Sequence, residues 1–316
     1  MIVAFAGAPV PQRSTDQSLG ALAALTAFLS WGFLPLYFHL IGPRVTAWEM
    51  LIHRVIWAAL LLAGFTLLRG RLDALRALLR RPRSLAALGA SAVMIAMNWG
   101  VFIWAVTHDH VLQSSLGYYI NPLLNVALGF CFLRERLRPM QIAAVLLAAA
   151  GVLIMVIGFG RVPWISLVLA GCFGTYGLIR KQVAVDGATG LLVETLLLLP
   201  LALAALAWMY GHGVAAFLLV SARIDWLLVG SGAVTVVPLV LFAVAARRLR
   251  LGTLGLFQYM TPTMHLITGV FLFGEPFTRA DAVTFACIWA GLALYTADVW
   301  RAQRRQALRR AAEAAS

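Results

Sequence analysis

The chain has 316 residues, 62% of them hydrophobic and 12% charged, with a formal net charge of +13 and a mean hydropathy of +0.89. A soluble domain carries about 25% charged residues, so the composition excludes an ordinary soluble enzyme and points to an all-α integral membrane protein. Net positive charge alone would also suit a nucleic-acid binder, and only its distribution along the chain decides against that.

Residues 1–18 contain a short apolar stretch, Met1 to Val10, with no basic segment before it and too few residues to span. They are expected to form a cytoplasmic tail. Ten apolar runs follow, each near the about 20 residues that cross a bilayer: 19–40, 45–68, 84–106, 111–133, 139–158, 164–181, 187–210, 226–246, 252–273 and 281–300. The second carries Glu49, His53 and Arg54. Glu49 and His53 stand at i and i+4 and share a helix face. Arg54 lies roughly 13 Å along its helix, close to mid-membrane. The third run carries Asn98, Trp99 and Trp104, and the fourth Gln113, Ser114, Ser115, Tyr118, Tyr119, Asn121 and Asn125 around Pro122. The sixth is short and ends in Arg180-Lys181. The seventh holds Glu194 and Pro200. The ninth holds Gln258, Tyr259, Thr261, Thr263 and His265 around Pro262, and a basic, alanine-rich tail occupies 301–316.

The chain is also written twice. At an offset of 140 residues, Leu116, Tyr119, Pro122, Gly129, Glu135, Ala150 and Gly151 fall on Leu256, Tyr259, Pro262, Gly269, Glu275, Ala290 and Gly291. Phe102 and Ala105 likewise fall on Phe242 and Ala245. Proline, glycine and glutamate recurring at one constant offset mark a duplication, with repeats expected over 19–158 and 164–300.

Threading the ten spans places 20 of the 25 Lys and Arg on one side, four (Arg44, Arg161, Arg223, Arg279) on the other, and Arg54 within a span. The basic side is expected to be cytoplasmic with both termini there, so the charge is a topology and headgroup signal rather than a nucleic-acid surface. Equivalent loops of the two copies carry opposite bias. Residues 107–110 have no arginine where their partner 247–250 has three, and 69–83 have six where 211–225 have one. Opposite bias is the mark of an inverted repeat, because five spans reverse the direction of entry. The expected fold is therefore ten transmembrane helices in two inverted five-helix repeats.

An ionisable group in hydrocarbon costs about 2.5–3.5 kcal/mol and so faces a cavity or a partner. Glu49 and Glu194 are read as acidic groups lining a central cavity, with helix capping or pairing to arginine as the alternative. Proline at 122 and 262 frees a carbonyl one turn earlier and favours a kink with a polar opening. Candidates for the solute or proton pathway are Glu49, His53, Arg54, Asn98, Trp99, Tyr118, Tyr119, Asn121, Glu194, Gln258, Tyr259 and His265, the alternative for several being interhelical hydrogen bonding. Cys131, Cys172 and Cys287 lie within apolar runs without metal-ligand spacing. The chain has no phosphate loop, no zinc-protease helix and no nucleophile elbow.

Glu49 to Trp57 reads EMLIHRVIW, Asn98 to Val106 reads NWGVFIWAV, Leu116 to Leu123 reads LGYYINPL, Phe257 to Pro262 reads FQYMTP, and Phe285 to Trp289 reads FACIW. Together these resemble the RarD permeases, a branch of the EamA group within the drug/metabolite transporter superfamily, over about residues 19–300. The resemblance implies a ten-helix carrier of the bacterial inner membrane. The family often has an acidic residue where Gln113 stands, glycine where Thr261 stands, and an apolar residue where His265 stands.

The function expected is secondary transport of a small organic metabolite or drug-like solute by alternating access, with Glu49 the first choice for solute charge or proton coupling. The partners are then a solute, membrane lipid and protons, with no metal, cofactor or catalytic centre. Two rivals stand beside it. A membrane-embedded lipid-modifying enzyme would have to rely on His108, Asp109 and His110. A non-transporting scaffold or sensor would leave the duplicated, proline-broken polar spans without a use.

Overall fold

A computed structural model of the chain describes residues 14–315 apart from 71, 134–136, 159, 184, 186, 247 and 250–256. The described residues are helical almost throughout and contain no strand. In chain order the helices are α1 (Ser14–Gly32), α2 (Leu34–Ile41), α3 (Ala47–Leu68), α4 (Leu72–Leu79), α5 (Pro82–Thr107), α6 (Val111–Leu133), α7 (Pro139–Leu153), α8 (Trp164–Gln182), α9 (Gly187–Gly211), α10 (Ala222–Ala246), α11 (Met260–Ile267) and α12 (Arg279–Ala315). Wider π-helical turns extend α7 over Ile154–Gly158 and α11 over Thr268–Leu272. Among the described residues, seven helices are long and apolar enough to cross a membrane, and two shorter apolar ones cover Trp164–Arg180 and Met260–Leu272.

Local chemistry sets the helix starts. Thr46 caps α3, its hydroxyl accepting from the Glu49 amide at 3.2 Å. Pro82 and Pro139 open α5 and α7, where a missing N–H costs nothing. Thr278 and Asp281 form a reciprocal cap for α12. The Thr278 N–H donates to the Asp281 carboxylate at 2.8 Å, and the Asp281 N–H donates to the Thr278 hydroxyl at 3.3 Å. Pro35 has no N–H for the carbonyl one turn back, and α1 and α2 meet in a bend at Phe33.

The main helix pairings cross between the two halves of the chain: α1 with α10 and α11, α3 with α9 and α10, α5 and α6 with α8, α6 with α11, and α7 with α12. Close approach calls for glycine at several of these crossings, α3–α10 and α1–α11 among them. A Cβ on Gly232 of α10 would lie 2.5 Å from the backbone of Trp57 in α3, and one on Gly32 of α1 would lie 2.4 Å from the Met264 sulfur. Loops 42–46, 108–110, 212–221 and 273–278 gather on one face, joined by Glu49, Glu275 and the His39–Phe273 ring contact. The opposite face is tied by Arg138 to Asp298 at 2.8 Å.

Two expectations need correction, those for the N-terminal tail and for Pro122. The tail expected over 1–18 lies outside the described residues up to 13, and from Ser14 onward the chain is already helical. The Ser14-x-x-Gln17 start signal stands there in the sequence. The last apolar span ends at Arg301, near the expected 300, and its helix continues through the basic tail to Ala315, because alanine and arginine favour helix and neither glycine nor proline interrupts them. Pro122 does not break its span: α6 continues from Val111 to Leu133 with the proline inside it. Span nine is interrupted instead at Tyr259, with Pro262 in the first turn of α11, where its missing donor is tolerated.

Candidate functional site

Arg54 lies on α3 and is 4% exposed. Its Nε donates to the Thr235 hydroxyl of α10 at 2.9 Å. The guanidinium carbon sits 4.3 Å from the Trp99 ring centroid and 5.7 Å from that of Phe38, so its flat faces rest on aromatic walls. The ionisable side chains around it are the phenols of Tyr37 and Tyr118, not carboxylates. Its Nη1 has no hydrogen-bond partner among the described residues.

The aromatic wall continues from there. Phe38 packs edge-on to Phe102, which is stacked 5.3 Å from His265 and lies 5.9 Å from Tyr118. The Tyr118 hydroxyl donates to Asn98 Oδ1 at 3.4 Å, and Asn98 Nδ2 donates to the Leu169 carbonyl at 3.0 Å. His265 Nε2 lies 3.1 Å from the Trp31 carbonyl. That carbonyl is the one Pro35 leaves without an intrahelical donor. Thr261, one turn before His265, donates to the Phe28 carbonyl at 3.0 Å. These two positions, where the family resemblance leads one to expect glycine and an apolar residue, therefore tie α11 to α1. Asn98, Trp99, Tyr118, His265 and Arg54 thus meet in one cluster built by both halves.

The acidic candidates stand elsewhere. Glu49 is fully buried in the first turn of α3, and its Oε1 accepts from the Ala216 and Phe217 amides at 2.7 and 2.9 Å. Phe217 packs on the His53 ring at 4.4 Å, and Trp57 Nε1 donates to His53 Nδ1 at 3.2 Å. Glu49 and His53 therefore fasten the 212–221 loop. Glu275 does the same on this face, accepting from Val111 and Leu112 at 2.5 and 2.8 Å across the N-terminus of α6. Burial pushes the Glu275 carboxyl above its ordinary range while those two amides pull it back. Its repeat mate, Glu135, lies outside the described residues. Glu194 accepts from Ser91 at 2.6 Å and Tyr176 at 3.3 Å, with Arg180 at 3.7 Å.

Tyr119 and Tyr259 line a groove of about 570 Å³ with Thr263, Trp289, Thr296 and Trp300. Tyr119 and Thr263 share a 2.6 Å hydrogen bond there. Asn121 is buried with its Oδ1 unpartnered, and Gln258 is half-buried at the break before α11. Sequence reasoning did not single out Thr235, Phe38, Trp31 or Ser91 for the site. Pro35 was the signal for Trp31, since a proline four residues on exposes a carbonyl. The others are ordinary residues in apolar runs, and only packing selects them.

Known proteins resemble this chain along most of its length. A model of the EamA-like transporter family matches residues 18–157. An uncharacterized transporter of Vibrio cholerae is 44% identical over 90% of this chain and 93% of its own length. The protein RarD of Escherichia coli is 44% identical over 90% of this chain and 96% of its own length. A chloramphenicol-sensitive protein RarD of Pseudomonas aeruginosa is 35% identical over 92% and 97%. A solved crystal structure, 20% identical, covers 88% of this chain and 97% of its own with a TM-score of 0.55, a likeness of fold.

Proposed function

The chain belongs to the RarD family of EamA-like transporters, and from that premise we propose that it carries a small organic solute across the bacterial inner membrane by alternating access, with Arg54, Trp99, Asn98, Tyr118 and His265 forming the solute site. The observation that carries this reading is the buried arginine in an aromatic cluster built from both halves. A cation in a membrane interior is expensive, and its usual reason for being there is a ligand or a pathway.

In this reading the chain crosses ten times, as two inverted five-helix repeats with both termini cytoplasmic. Support comes from the pairings, which are symmetric under exchange of halves: α1 with α10 matches α5 with α8, and α1 with α11 matches α6 with α8. The pairs α3–α9, α6–α11 and α7–α12 map onto themselves. The charge bias of equivalent loops supports the same inversion. Glu49 and Glu275 then serve as latches rather than as solute or proton carriers. They hold the loops of one face against helix ends, and that face opens only when four backbone hydrogen bonds are released.

The test is solute counterflow in proteoliposomes holding the purified full chain, with a metabolite library and with or without a pH gradient. Saturable exchange of at least one organic solute, abolished by Trp99→Ala, is the expected result. Absence of any exchange, with the protein folded and inserted, would remove the transporter reading.

A further inference from the structure

The chemistry around Arg54 selects a class of solute. The guanidinium uses its faces on Trp99 and Phe38 and one edge donor on Thr235. The edge carrying Nη1 is left without an acceptor among the described residues, although the side chain is 4% exposed. The group that best matches such an edge is a planar carboxylate. Among the described residues no carboxylate forms an ion pair with Arg54, so its charge is uncompensated among them.

The rest of the cluster narrows the choice. Phe38, Trp99, Phe102 and Tyr118 present aromatic surface, which fits a flat apolar body. His265 Nε2 faces a carbonyl, which can only accept, so Nε2 carries the proton and Nδ1 is an acceptor in the neutral ring. Nδ1 is also unpartnered. A single cation suits a single negative charge, and nothing in the cluster balances an ammonium group.

Resting on the transporter reading above, we propose that the solute is a small organic monocarboxylate with a flat apolar body, its carboxylate paired with Arg54. A dianion such as a phosphate ester would leave one charge unmatched in the membrane interior. A zwitterion would place an ammonium beside an arginine with no acid to offset it.

Binding to the purified full chain is measured by tryptophan fluorescence with three probes of similar shape: phenylacetate, its neutral amide phenylacetamide, and phenylalanine. Phenylacetate should bind at least about tenfold more tightly than either, the effect of one charge-assisted hydrogen bond. Arg54→Gln should bring the acid and the amide to equal affinity, while Arg54→Lys should retain part of the preference. Thermal melting of each variant establishes that it is folded. Equal binding of acid and amide by the wild type, a preference for phenylalanine, or an acid preference that survives Arg54→Gln in a folded protein overturns the assignment. The counterflow library separates the two levels. Exchange of neutral or cationic solutes with no carboxylate among them removes the anion class and leaves a transporter. No exchange of any solute removes the transporter itself.

Discussion

Glu49 and Arg54 stand five residues apart on α3, both buried, one a carboxylate and the other a guanidinium. Sequence alone makes them look alike: two ionisable groups in one apolar span. The fold treats them differently. Glu49 sits in the first turn, where the helix end favours a negative charge, and two backbone amides hold Oε1 in place while Oε2 has no partner among the described residues. Arg54 lies deeper, held by one hydroxyl and two aromatic faces, with Nη1 unpartnered. A buried charge answered by fixed backbone is part of the architecture. A buried charge answered only by rings and a hydroxyl is the one proposed above to meet the solute.

The sharpest break of this comparison is Glu49→Ala. It strands the Ala216 and Phe217 amides in a buried position and should cost about 3–4 kcal/mol, the sum of two unmet donors. It should appear as a large fall in melting temperature of the protein in detergent. Glu49→Gln keeps an acceptor oxygen and should cost about 1 kcal/mol, with counterflow unchanged in its pH profile between pH 5 and 8. A pH profile flattened by Glu49→Gln at equal membrane abundance would return Glu49 to the transport pathway.

Arg54→Met should show the opposite pattern. Removing an uncompensated buried charge in favour of a similar apolar volume is often neutral or stabilising, and Thr235 keeps its own bond to the Ser231 carbonyl at 2.9 Å. Melting should therefore stay at or above the wild-type value, while exchange falls by about a hundredfold, or about 2.7 kcal/mol. A melting temperature lowered as far as that of Glu49→Ala would make Arg54 structural as well.

Gly232→Ala probes the support beneath the arginine. The new Cβ would meet the Trp57 backbone, so α3 and α10 must separate, at a cost of about 1–3 kcal/mol. Both melting and exchange should drop, since the Arg54–Thr235 bond spans this crossing. A small effect on stability is expected from His265→Leu. It leaves the Trp31 carbonyl without its donor and should cost about 1 kcal/mol, read as a modest melting shift, with exchange falling as well because His265 belongs to the proposed site. A shift as large as that of Gly232→Ala would show that His265, rather than close helix contact, fastens α11 to α1.

Much of the candidate cluster was legible in the chain. Arg54, Asn98, Trp99, Tyr118 and His265 were all visible as polar or amphipathic residues in apolar spans, and they do converge. Tyr119 and Tyr259 were equally visible and lie in a different place, a lateral groove, because adjacent residues on a helix point about 100° apart. Glu49 drew attention through its charge, but the amides that hold it are 167 and 168 residues away and carry no sequence signal. The same is true of Glu275, marked by the repeat but not as a cap on α6.

The sequence by itself determined that this is a helical membrane protein, since its apolar runs match the bilayer and its arginines cluster in alternate loops. It determined the family, through motifs that lie within single helices and so survive without a fold. The bend before Pro35 was not read from the sequence, although its cause, a missing donor, is local. Only the tertiary structure decided that Glu49 meets two backbone amides while Arg54 meets rings and a hydroxyl. That depends on backbone groups and rings brought from distant helices, and no periodicity or spacing records where a carbonyl or an aromatic face will come to lie.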